Sequence, residues 1–136
     1  MVSHVALMLA LLLHRSPGLV STVLEMGGID AVAVVTCESQ WNERAWRREP
    51  DGTSWGLFQL YDKFHRQYRD DLLLHIATGC EFLAECESEA PNFNEAVQLY
   101  NSGSLHGNPR WGAFVTRKRD WLSEMVAIDC GVMIGG

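Results

Sequence analysis

Positive charge is scarce in this sequence: 11 Lys and Arg stand against 17 Asp and Glu, a formal charge of -6 over 136 residues. That balance excludes nucleic acid as the main partner, because neutralising phosphates takes a basic face. No CxxC pair occurs among the four cysteines at 37, 80, 86 and 130, which argues against a zinc ribbon or a thioredoxin-type motif. Four cysteines allow three pairings, and the sequence does not choose among them. Cys80 and Cys86 fall in one helical pattern. Six residues rise about 9 Å along a helix, beyond the roughly 7 Å between Cα atoms that a disulfide tolerates. All four are therefore expected as reduced structural thiols. The histidines lack metal-ligand spacing, so neither a metal nor a cofactor is expected.

Long apolar runs are missing too: none reaches the roughly 18–20 residues of a membrane span. The longest is the nine-residue stretch 5–13. No Lys or Arg precedes it, His14 and Arg15 follow it, and no A-x-A cleavage site comes after, which is the wrong pattern for a secretory signal. Residues 1–18 are read as an apolar first helix of the domain. An export or anchor segment, or a membrane contact, is the alternative. What is present is ordinary for a globular chain, 47% hydrophobic and 21% charged, and the length suits one domain.

The periodicity is mostly helical. A helix over 3–14 stops at Ser16-Pro17-Gly18. A short one over 19–26 closes at Gly27-Gly28, and 29–38 is a buried helix. Asp51-Gly52, after Pro50 and flanked by Thr53 and Trp55, signals a hairpin turn, and 56–60 continues as a strand-like apolar segment. Leu72, Leu73, Ile76, Cys80 and Leu83 mark an amphipathic helix over 70–87. Asn94 caps a helix over 94–100. A last helix over 111–126 turns Trp111, Phe114, Val115, Leu122, Met125 and Val126 inward. The fold class is α+β, predominantly α-helical.

Three places can carry chemistry. Glu38 ends an otherwise apolar helix. Partial burial and the negative end of the helix dipole both raise its pKa, and a carboxyl still protonated near neutrality is a general acid. Gln59 is a polar side chain in an apolar run, placed to bind sugar hydroxyl or acetamido groups. Tyr100 and Asn101 put a phenol and an amide at a helix end before Gly103. Trp41, Trp46, Trp55 and Tyr61 lie near these motifs and are candidates to stack on sugar faces, with at least two expected in the core.

Taken in order, Glu38-Ser39, Gly56-Leu57-Phe58-Gln59-Leu60, His75-Ile76-Ala77-Thr78-Gly79-Cys80-Glu81-Phe82-Leu83 and Tyr100-Asn101-Ser102-Gly103 resemble the lysozyme-like superfamily. Within it they are most similar to the lytic transglycosylase (SLT) group. The match spans 29–103, with Phe58 for the usual Met, His75 for Asn and Ser102 for Ala. The resemblance implies a lysozyme-like domain over 19–136 with a small hairpin beside an active-site cleft. It implies Glu38 as catalytic acid/base, and Ser39, Gln59, Tyr100 and Asn101 as substrate-binding residues.

Animal-type lysozymes also resemble the stretch 51–59, but their second carboxylate falls where this chain has Ser54. Asp51 is the candidate second carboxylate, with Glu43 and Glu49 the other acids near enough to approach. With one carboxyl alone, the substrate supplies the rest. The 2-acetamido oxygen of N-acetylmuramic acid stabilises the cationic centre. Glu38 protonates the bridging oxygen and then takes the C6 hydroxyl proton, leaving a 1,6-anhydro end. The expected partner is thus peptidoglycan, acted on in the periplasm or cell wall, with a virion-associated phage protein as one source of such an enzyme. Hydrolytic muramidase chemistry and a non-catalytic structural component of a phage particle or secretion assembly are the alternatives.

Overall fold

The structure, a computed structural model, describes residues 2–129. Cys130 lies outside them. The elements run α1 (His4–Leu13), α2 (Pro17–Ser39), β1 (Trp46–Glu49), β2 (Gly52–Trp55), β3 (Leu60–Tyr61), α3 (Leu72–Glu89), α4 (Phe93–Ser102) and α5 (Pro109–Asp129). The chain is α+β with helices dominant, as the periodicity indicates.

Local chemistry sets the helix ends. The Ser3 hydroxyl accepts from the Ala6 N–H and opens α1, whose Ala6, Leu9 and Ala10 are buried against the domain. Pro17 opens α2, where a missing N–H costs nothing. The two helices read at 19–26 and 29–38 are one element bent at Gly28, whose φ of 72° only glycine adopts freely. By length and composition alone α2 is long and apolar enough to cross a membrane. Counting uninterrupted runs misses this, because Glu25 and Asp30 break the run. Here Ala31, Val32, Ala33, Val34 and Val35 are sealed in the centre of the protein core.

The sheet is antiparallel, in the order β1-β2-β3. Glu49 pairs with Gly52, so Pro50 and Asp51 form the turn, one residue earlier than Asp51-Gly52. The fixed φ of Pro50 suits a leading turn position. Residues 56–59 are a turn rather than a strand. Leu57, Phe58, Gln59 and Leu60 are all buried, so hydropathy alone cannot tell this inward-folded turn from a core strand.

The other helices shift at their margins. Asp71 caps α3, and Asn92, not Asn94, caps α4 by accepting from the Glu95 N–H at 2.9 Å. Leu73 faces solvent on α3, and Phe114 does so on α5. Only Val115 and Leu122 of the apolar residues expected inward on α5 are fully buried; Trp111, Met125 and Val126 are partly covered.

Candidate active site

The end of α2, the sheet, the C-terminal half of α3 and the end of α4 enclose a cleft of about 810 Å³. Glu38, Gln59, Tyr100 and Asn101 all line it. Ser39 and Asp51 do not.

Glu38 is set at the wall of the cleft by the termination of α2. Gln40 and Trp41 both adopt positive φ, 52° and 66°, and the Trp41 indole folds back to donate to Thr36 Oγ1 at 3.0 Å. The chain thus leaves the helix sharply, one turn after its buried valines. Glu38 Oε1 is covered from solvent and meets no hydrogen-bond donor among the described residues. An ionised oxygen there is costly, and burial pushes the carboxyl from 4.5 up to about 7. Arg47 pulls it down and the Glu49 charge pushes it up, both more weakly than burial. Glu38 is accordingly uncharged or half-charged at neutrality.

Tyr100 is buried beside it. Its hydroxyl donates to the Phe58 carbonyl, and burial followed by the Glu38 charge raises its pKa well above the usual phenol value. Asn101 turns its Oδ1 to Asn108 Nδ2 at 3.0 Å, which fixes the amide at the cleft rim. Gln59 holds φ of 49°, a region disfavoured for any side chain but glycine. Its amide nitrogen donates to Ala45 O at 3.1 Å and Gly56 O at 2.9 Å. Its donors are therefore spent on its own loop, and its Oε1 is the group left for a ligand.

Two residues expected at the site are elsewhere. Ser39 is buried and its hydroxyl donates to Val35 O at 3.2 Å, the usual back-bond of a serine in a helix. Asp51 sits exposed in the hairpin turn, paired with Lys63 Nζ at 3.0 Å. Beside Glu38, the carboxylates of Glu49, Glu85 and Glu89 line the cleft, and of the second-carboxylate candidates Asp51, Glu43 and Glu49 only Glu49 is among them. Pairing of Arg47 with Ser54 and Glu49 with Gly52 puts the Arg47, Glu49 and Ser54 side chains on one face of the sheet, and all three line the cleft.

Of the four aromatics nearest the motifs, only Tyr61 lines the cleft. Trp41 is buried, Trp46 is exposed on the opposite face, and Trp55 lies under the Arg69 guanidinium at 3.3 Å. Besides Tyr61 and Tyr100, the aromatic side chains Phe64, His65 and Phe82 line it. Phe64, 70% exposed, stands edge-on to Tyr61 with centroids 5.5 Å apart. Phe82 fell within the α3 pattern and nothing in that pattern marks it as cleft-facing.

The arrangement offers a carboxyl of raised pKa in a buried wall, a side-chain amide, an aromatic lining and a carboxylate, Glu49, fixed by hydrogen bonds from Arg47 and Ser54. A carboxyl that is partly protonated near neutrality can both donate and accept a proton. No protein-family model, no curated protein and no solved structure matches the chain.

Proposed function

We propose that this protein cleaves the β-1,4 glycosidic bond between N-acetylmuramic acid and N-acetylglucosamine in peptidoglycan, as a lytic transglycosylase of the lysozyme-like superfamily. One observation carries the reading: Glu38, the residue that the motif order marks as the acid, keeps its proton to about pH 7 in the wall of a substrate-sized cleft shared with Gln59, Tyr100 and Asn101. A carboxyl with that pKa donates to a bridging oxygen at neutral pH and accepts a proton afterwards. The Glu38 proton goes to the bridging oxygen as the C1–O bond breaks. The C6 hydroxyl then bonds to C1 and returns its proton to Glu38, closing a 1,6-anhydro ring with no water consumed. Such a substrate puts the work in the periplasm or cell wall, and a virion-associated role is compatible with it.

Glu49 favours a second reading, hydrolysis. A second carboxylate in the same cleft can take a proton from water and release a reducing sugar instead. Mass spectrometry of muropeptides separates the two, since the anhydro end is one water lighter. The test of the reading itself is murein zymography with wild type and Glu38→Gln. Clearing by wild type and loss of at least about a hundredfold in the variant is the expected result; equal clearing by both would end Glu38's assignment.

A further inference from the structure

The sequence resembles lysozymes around 51–59 but has Ser54 where they carry a carboxylate. Ser54 is 3% exposed, and its hydroxyl donates to Glu49 Oε1 at 3.1 Å. Arg47 Nε donates to the same oxygen at 2.9 Å. All three residues share the cleft face of the hairpin. The other oxygen, Oε2, has no hydrogen-bond partner among the described residues. One oxygen is thus clamped by a guanidinium and a hydroxyl, and the residue that carries it lines the cleft. Two hydrogen bonds on one oxygen, one of them from a cation, fix the orientation of the carboxyl group.

We propose that Glu49 is the charge-stabilising carboxylate of this cleft, delivered across the hairpin to the place where Ser54 stands, with Oε2 set against the positive charge that develops at the anomeric carbon. The proposal rests on the glycosidic-cleavage reading above. It adds a residue that the motif pattern does not supply. Ser54 and Arg47 are its positioning residues: they hold Oε1 and so aim Oε2. No proton need move to or from Glu49 in this role. Glu38 alone carries the proton in this scheme, the division of labour expected of two acids in unlike surroundings. Glu49 in turn raises the Glu38 pKa, so the pair is electrostatically linked.

The test has two arms. In the first, the wild type and Glu49→Gln are assayed on purified murein. The variant is expected to lose about a hundredfold in kcat with KM little changed, as for removal of one preorganised charge-stabilising group. In the second, calorimetry measures binding of a protonated iminosugar and of an uncharged N-acetylglucosamine oligomer. Glu49→Gln is expected to weaken the cation about tenfold and to leave the neutral oligomer unchanged. Ser54→Ala is expected to weaken the cation by less. Glu49→Ala serves as the second variant should Glu49→Gln lose the wild-type circular dichroism spectrum. Equal cation affinity in wild type and in a folded variant overturns the proposal. A wild type that leaves murein intact, yet loses the cation on substitution of Glu49, overturns the cleavage reading and leaves the carboxylate's role standing.

Discussion

Glu38 follows five buried residues at 31–35 and sits where the apolar helix ends, where burial raises its pKa. The burial of a polar side chain is legible from sequence where the run before it is apolar, but the backbone carbonyl that will claim its donors is not. Ser39 and Gln59 show how the fold spends side-chain donors: Ser39 is turned away from the cleft, and Gln59 lines it with its amide nitrogen already bonded. The Ser39 hydroxyl is taken by Val35 O, and the Gln59 nitrogen by Ala45 O and Gly56 O. Nothing in the one-dimensional pattern shows which donors a folded loop will consume. The Gln59 bonds hold a non-glycine residue at φ of 49°, a conformation that costs about 1–3 kcal/mol unless its surroundings impose it. Gln59→Ala should therefore lower stability by about 2 kcal/mol as well as impair sugar binding, read as a shift in the urea midpoint. Gln59→Gly relieves the backbone strain, so it should lose less stability than Ala while losing the same binding. A Gly variant less stable than the Ala variant would show that the backbone strain is not what the amide bonds offset.

At the scale of elements, helix existence was legible and the inward turn was not. The His75-to-Leu83 stretch was read as a family pattern; the structure supplies its physical reason. His75 Nε2 accepts from the Phe58 N–H at 3.1 Å, and α3 presses its backbone at Gly79 onto the Phe58 ring. A Cβ built on Gly79 would lie 2.2 Å from Phe58 Cγ. Phe58 is fully buried and its carbonyl holds Tyr100, so neither ring nor turn can yield easily. These contacts make 56–59 a plug that locks the cleft floor to α3. Overpacking of this kind costs about 1–3 kcal/mol. Gly79→Ala is expected at or above the upper end and should also broaden the Tyr100 environment, seen as lost near-ultraviolet dichroism. A destabilisation under about 0.5 kcal/mol would mean that the plug is loose.

Across the whole molecule, buried ionisable groups pull stability in opposite directions with pH. Glu38 binds its proton more tightly folded, at about 7, than at its ordinary 4.5. Its contribution is complete below pH 4.5 and is lost as pH rises through 7. Glu87 acts in the same direction, raised to about 7 chiefly by burial and then by its bond to Asp30. His75 acts oppositely. Burial lowers it from 6.5 to about 4, so the contribution of its neutral ring is present above 6.5 and is lost as pH falls through 4. Between 4.5 and 6.5 the His75 slope offsets only one of the two carboxyl slopes, so the wild-type profile does not separate Glu38 from Glu87. The difference between wild type and Glu38→Gln removes the terms from His75 and Glu87 and isolates Glu38. The rise from 4.5 to about 7, at about 1.4 kcal/mol per pH unit, makes roughly 3 kcal/mol. Glu38→Gln should match the wild type at pH 4 and exceed it by about that amount at pH 8 in urea titrations. A gap of the same size at both pH values would mean that the Glu38 carboxyl is no harder to ionise in the fold than in the open chain, and the proton on which the cleft's chemistry depends would not be there at neutrality.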